Sequence, residues 1–245
     1  DGGGIENSAT RVTFERMVVQ ANRAGNAGGG IYNTSSGPFE IIDSTIRDNA
    51  GVIGGGLANA PDNSLIIRGS LFLNNSARIA RNDEGVIEEE AGHGGGLMSF
   101  ADGESLIENT TFSGNKAAVA GGGIFHDADG ELRLVHITVW RNSAPKGGGI
   151  GVVESDFVPP IPPAANSAVI VKNSIVGGSV EGGNCDWYVR SEGGNLETGN
   201  KNTCFLAVTA DTAESPIELG VRDRRGDPDL WAIADNGGPT MMHAL

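Results

Sequence analysis

Apolar residues recur along this chain in pairs two positions apart, and the pairs themselves recur every 26 or 27 residues. Counting back from Asn22, Asn49, Asn75, Asn115 and Asn142, the third residue is always apolar: Val19, Ile46, Phe72, Phe112 and Val139. So is the eighth: Phe14, Ile41, Ile67, Ile107 and Leu134. The tenth is Val12, Phe39, Leu65 or Leu132, with Ser105 as the exception. Apolar positions two apart predict short strands with one face buried, and the odd step between the two pairs predicts a bend. A third short strand is expected at Ile31, Leu57, Leu97, Ile124 and Ile150, each directly after a glycine triplet.

The triplets begin at Gly2, Gly28, Gly54, Gly94, Gly121 and Gly147, at spacings of 26, 26, 40, 27 and 26. Three strands and three bends per period, repeated in tandem, predict an all-β fold: a right-handed parallel β-helix of about six coils of roughly 26 residues. At about 4.8 Å per coil, six coils make a rod of roughly 30 Å. The triplets would serve a corner where a Cβ meets the neighbouring coil. The recurring Asn is read as structural, occupying the left-handed region at another corner and bonding amide to amide between coils, so Asn22, Asn49, Asn75, Asn115 and Asn142 are expected to form a ladder.

The outlying spacing of 40 contains an insertion of about 14 residues, placed at 77–93 with Glu88-Glu89-Glu90 inside it, and a Pro-rich insertion is expected at 156–166. Insertions in solenoids map to loops on one face, which makes these two the candidate contacts for a protein or glycan partner. A sixth coil is expected from Ala168, Ile170, Asn173 and Ile175, with Gly178 at the Asn position, and no further triplet follows. The solenoid is therefore assigned to 1–180. Residues 181–245, loop-rich and with the chain's two cysteines, are assigned to a cap over its open end. Cys185 and Cys204, 19 apart and outside any metal-type spacing, are expected to form a disulfide, which implies an oxidising compartment.

Composition narrows the partners. Gly accounts for 39 of 245 residues without a three-residue period, which suits tight bends and excludes collagen. With 17 Lys+Arg against 31 Asp+Glu, the net charge is −14, so nucleic acid and anionic bilayers are poor partners. No run approaches the about 20 apolar residues of a membrane-spanning helix.

The pattern of Phe72 to Asn75 and of Phe112 to Asn115, the latter followed by Gly121-Gly122-Gly123-Ile124, resembles the repeat of polymorphic outer-membrane proteins, best known from chlamydiae, over about Gly2 to Val153. The tail is similar to the end of bacterial β-helix surface proteins of the choice-of-anchor class. It carries Asn184-Cys185-Asp186, Gly194-Asn195-Leu196, Cys204, Asp227-Pro228 and the run from Ala234 through Pro239-Thr240 to His243-Ala244-Leu245. The resemblance implies an exported bacterial protein, extracellular or on the cell surface, with adhesion as its inferred role and no catalytic residues to carry over.

Candidate chemistry is sparse. Asp127-Ala128-Asp129-Gly130 resembles the start of a calcium loop but lacks the twelfth-position Glu, so it reads first as a turn and second as a calcium site at Asp127 and Asp129; no other cofactor is expected. His93 precedes a Gly triplet without any GxSxG elbow, and His126 and His136 lack a carboxylate or Cys partner in sequence. Three glycosylation sequons, at Asn33, Asn74 and Asn109, follow from composition. The expected function is structural or adhesive and non-catalytic. The alternatives are a polysaccharide lyase or hydrolase on the same scaffold, and a subunit of an extracellular filament, sheath or envelope complex.

Overall fold

The computed structural model describes residues 2–60, 63–80, 91–153, 169–186 and 188–198, and beyond these 204–206, 224–225, 228, 230, 234 and 240. Every regular element among them is a β-strand. The strands sort into three long parallel sheets. Sheet A has seven strands, from Ile5–Asn7 to Cys185–Asp186; sheet B has eight, from Val12–Glu15 to Phe205–Leu206; sheet C has eight, from Val18–Gln20 to Arg224–Arg225. A fourth, short sheet links Ala50–Gly51, Ser76–Ala77 and Lys116–Ala117. Each coil visits A, B and C once, and each strand pairs in register with its equivalent one coil away, the arrangement of a parallel β-helix.

Register explains why the apolar pattern is so regular. Ile5, Ile31, Leu57, Leu97, Ile124, Ile150 and Cys185 stack on one another in sheet A. Val19, Ile46, Phe72, Phe112, Val139 and Val176 do so in sheet C. A slip of one residue would turn a whole strand inside out, so burial of these columns fixes the pairing. They make one continuous interior cluster running the length of the rod. Within it Phe72 and Phe112 stack with ring centroids 4.7 Å apart.

The glycine triplets and the Asn residues keep step because, instead of holding two different corners as the sequence suggests, both lie on the stretch that leads from sheet C back to sheet A. Gly121 has φ 65°, a conformation L side chains avoid, and a Cβ on Gly122 would overlap the carbonyl oxygen of Gly148 in the next coil. A Cβ on Gly123 would come to 3.0 Å from Nδ2 of Asn142. The third glycine thus leaves room for the Asn side chain.

Four sequence expectations need correcting. The left-handed residues are not the ladder Asn but those just before them: Ala21, Asp48, Asn74, Gly114 and Arg141. Reversing the chain there lets the next side chain turn inward. The sixth coil is shifted by one: Val169, Val171 and Val176, rather than Ala168, Ile170 and Ile175, follow the interior columns, and Ser179 rather than Gly178 follows Val176 as Asn142 follows Val139. An almost unbroken apolar run, Ala168 to Val171, hid the alternation. The first insertion is narrower than 77–93, since Ala77 pairs with Gly51 and Ala117, and His93 bridges to Ala120; the excursion lies between them. The second, 156–166, lies outside the described residues, as does the acidic stretch Glu88 to Glu90.

Finally, parallel stacking continues past residue 180. Cys185–Asp186, Tyr188–Ser191 and Leu196–Glu197 form a seventh coil on sheets A, B and C, and Phe205–Leu206 and Arg224–Arg225 add to sheets B and C beyond it. In this coil Gly182-Gly183-Asn184 stands where a triplet would, with Cys185 in the aliphatic position. Further on, the Thr240 hydroxyl donates to the carbonyl oxygen of Gly69 at 3.2 Å, far back along the rod in the third coil.

Candidate functional site

The five Asn residues expected to form a ladder are brought together by coil stacking. Nδ2 of Asn22, Asn49, Asn75 and Asn115 each donates to Oδ1 of the next Asn at 3.0 Å. The backbone N–H of each donates to the same oxygen, at 2.8 to 3.1 Å. The second amide hydrogen of Asn49, Asn75, Asn115 and Asn142 goes back to a carbonyl of the preceding coil, that of Val19, Ile46, Phe72 and Phe112 respectively, at 2.9 Å. The ladder has a direction: each coil donates towards the C-terminal end. It stops at Ser179, whose hydroxyl has no amide with which to continue it.

Two further columns were missed from sequence. In sheet A, Asn7 donates to Asn33 at 2.6 Å and Asn33 to Asn59 at 2.8 Å. The signal was available, since each Asn lies two residues after the aliphatic residue that follows a triplet. At the bend between sheets B and C, hydroxyls accept backbone N–H groups across coils: Met17 to Ser44, Ser44 to Ser70, Ser70 to Thr110 and Ile137 to Ser174, ending with Ser174 to Asn195. Most buried polar atoms on the three columns are thus paired, as a one-coil-thick interior demands, the exceptions being the Ser179 hydroxyl and Nδ1 of His126.

Cys185 and Cys204 are joined in a disulfide, with Cα atoms 4.6 Å apart. Both are buried, beside a pocket of about 10 Å³ lined by Val171, Val176, Val189 and Glu197. That is room for a single water at most. Glu197 occupies the interior column of sheet C after Val176, and one of its carboxylate oxygens accepts the Cys204 N–H at 3.1 Å. Closing a loop of about 20 residues is worth roughly 3 kcal/mol in the chain-entropy view. Replacing both cysteines by Ser should therefore lower urea stability by about that amount, with the loss confined to strands beyond Val180; hydrogen exchange resolved by peptide measures both, and loss of protection in the first three coils would contradict it.

Asp127 and Asp129 sit in the turn between Ile124–His126 and Leu132–Val135, Asp127 half-buried and Asp129 exposed. Among the described residues no group of three or more His, Cys, Asp or Glu gathers to hold a metal. The turn instead closes on His126, fully buried in the column that starts with Asn7. Its Nε2 donates to the Gly130 carbonyl at 2.7 Å, while Nδ1 is buried without a hydrogen-bond partner. Burial holds the His126 pKa below its ordinary 6.5, outweighing the opposing pull of the Gly130 carbonyl and of Asp127 and Asp102. A folded-state pKa lower than the unfolded one means the unfolded chain takes up the proton first on acidification. Stability from this residue is complete above pH 6.5 and declines as pH falls below it. His126→Gln should flatten the melting temperature between pH 7 and 5 relative to the parent, on a scale of tenths to a few degrees per pH unit; an unchanged slope would assign the pH dependence elsewhere.

Of the other two histidines considered, His136 faces Asn173 across coils at 3.1 Å, and the His93 ring packs on Phe125 at 4.5 Å. His93 stands at the root of the first insertion. That root is held at both ends, by Arg78 donating to the Ala24 carbonyl at 3.1 Å and by the Gly92 N–H donating to Val52 at 2.8 Å. The outer face of sheet B carries a network of ion pairs among the described residues. Glu131 contacts Arg133 at 3.0 Å and Arg190 at 3.6 Å; Glu192 contacts Arg133 at 2.6 Å, Lys172 at 3.8 Å and Arg190 at 3.9 Å. The hydrogen bonds that Arg133 donates to Glu131 and then to Glu192 raise its pKa above the ordinary value. Arg133 and Arg190 flank Ile170 in one outward column, and Ile170 is buried beneath them.

No helix of the described residues is long and apolar enough to cross a membrane. No curated protein and no solved structure matches the chain. A family model described as the right-handed β-helix region matches residues 2–158, well over half of the chain, in agreement with the stacked parallel sheets, and the chain belongs to that family.

Proposed function

We propose that this chain is an exported, non-catalytic rod with a structural or adhesive role, of the kind its resemblance to bacterial surface β-helix proteins implies. The observation that carries the reading is where the recurring polar residues go. The Asn ladder, the second Asn column and the Ser/Thr column direct their hydrogen bonds into neighbouring coils, so what repeats along the rod serves the rod. What does not repeat is the excursion rooted at Arg78 and Gly92 and the ion-paired patch on sheet B, and these are the surfaces on which a protein or glycan partner would be met. The disulfide supports an oxidising destination.

Two assays test this on the purified chain. Incubated with pectin, alginate or a glycosaminoglycan, it should release no new chain ends. It should bind intact cells or matrix, and deletion of 84–90 should reduce that binding while leaving the melting transition nearly unchanged, because shortening a loop costs little when the coil beneath is complete. Turnover that a single acidic substitution abolishes would replace this reading with that of a carbohydrate-active enzyme.

A further inference from the structure

The outer face of sheet C is covered where it should be open. In Leu71–Leu73, Phe72 points inward to stack on Phe112, so Leu71 points outward by the alternation of a strand. Leu71 is nevertheless completely buried, and it is not part of the interior cluster. Its column in sheet C runs Thr45, Leu71, Thr111, Thr138 and Ile175, and Thr111 is buried as well. Trp140, in the parallel outward column, is also buried, although Gly178 beside it accounts for part of that. At the start of the Leu71 column Val18 is 62% exposed. The cover therefore begins near the third coil.

We infer that the outer face of sheet C from Leu71 onward is a docking surface for the chain's own C-terminal segment, 226–245, which doubles back along the rod as a strap. The Thr240 hydroxyl bonded to the Gly69 carbonyl places one point of that segment at the third coil, next to Leu71. The last strand of sheet C, Arg224–Arg225, lies five strands away in the sheet order. That is roughly 24 Å at about 4.8 Å per coil. The 15 residues from Arg225 to Thr240 reach up to about 50 Å when extended, so the span is made with slack. The composition suits the task, since Leu230, Trp231, Ile233, Met241, Met242 and Leu245 are the apolar side chains that this segment has to offer such a face. Pro228 is already buried and Leu230 half-buried. From Leu71 onward sheet C would thus be closed to outside partners, which favours the excursion and sheet B as the faces that meet them.

A photoreactive benzoylphenylalanine at Thr138, half-buried in the same outward column, tests this in the full chain. Irradiation should give cross-links to peptides from 226–245. Cross-links only to 154–168 or to a second molecule, or none at all, would overturn the strap. Independently, Leu71→Cys supplies the sole free thiol while Cys185 and Cys204 stay paired. It should react with a thiol reagent at least about a hundredfold more slowly in the full chain than in one ending at Arg225, whose circular dichroism is checked first. Equal rates in two folded chains would show that something else covers Leu71; if the shortened chain does not fold, the cross-link decides.

Discussion

Replacing Asn115 by Ala should cost about 3 kcal/mol, and replacing it by Asp should cost more, although Asp keeps the size and one oxygen. Asn115 is buried in the middle of the ladder, accepting from the N–H and Nδ2 of Asn75 while donating to Asn142 Oδ1 and to the Phe72 carbonyl. Truncation to Ala leaves the Asn75 N–H and the Phe72 carbonyl short of a partner in a dry interior, each worth about 1–3 kcal/mol. Asp restores the acceptor for Asn75 but sets a carboxylate oxygen against the two acceptors that Nδ2 had served. Its penalty should therefore shrink on acidification, because the protonated acid can donate to one of them; burial raises the pKa at which this happens. Asn22, half-buried at the start of the ladder, accepts from no preceding coil, and Asn22→Ala should cost less than half as much as Asn115→Ala. Urea titration of the four proteins at pH 7 and pH 5 measures the order. Equal costs for Asn22 and Asn115, or an Asp variant that is no worse than Ala at pH 7, would mean that the direction of the ladder contributes nothing.

That direction could not be read from the sequence, although the ladder could. A residue that recurs every coil at one register must stack on itself, so Asn22 through Asn142 announce a column. Which atoms donate depends on where the chain reverses. The reversal is made by the preceding residue, variously Ala21, Asp48, Asn74, Gly114 or Arg141, and no single residue type marks it. The same limit explains the sixth coil. With nearly every residue from Ala168 to Val171 apolar, either alternation satisfies the pattern, and only pairing with Leu132 and Leu134 selects Val169 and Val171.

The seventh coil is hidden in the sequence for a different reason. A glycine triplet marks most coils, whereas the corner requires small residues only where a Cβ would strike the next coil. Gly182-Gly183-Asn184 meets that need well enough for Cys185 to enter sheet A below Ile150. The disulfide pairing was legible because only two cysteines exist; its position in the interior column was not. The ionic patch on sheet B was equally hidden, since Glu131, Arg133, Lys172, Arg190 and Glu192 spread over about 60 residues of sequence and meet only through the stack.

Phe112→Ala should be the most destabilising single truncation in the rod, at about 4 kcal/mol. The ring is fully buried at the middle of the interior column, stacked on Phe72 with an interplanar angle of 14°. In a solenoid the interior is one coil thick, so the neighbours of Phe112 are fixed by strands above and below and cannot move inward without breaking register. A cavity left there stays open, and the cost lies at the upper part of the about 3–5 kcal/mol range for such losses. Phe112→Leu keeps most of the volume and should cost no more than about 1.5 kcal/mol. Phe14 provides the comparison. It packs edge-on against Phe39 with centroids 5.3 Å apart, but it lies in the first coil and is only half-buried, so Phe14→Ala leaves a surface notch and should cost about half as much as Phe112→Ala. Because each coil contacts only its neighbours, the Phe112 change should also split the unfolding transition, with the coils before and after Phe112 losing protection at different urea concentrations. Hydrogen exchange by peptide at increasing urea measures this, and a single transition in which Phe14→Ala and Phe112→Ala cost the same would show that the rod's stability is not set coil by coil.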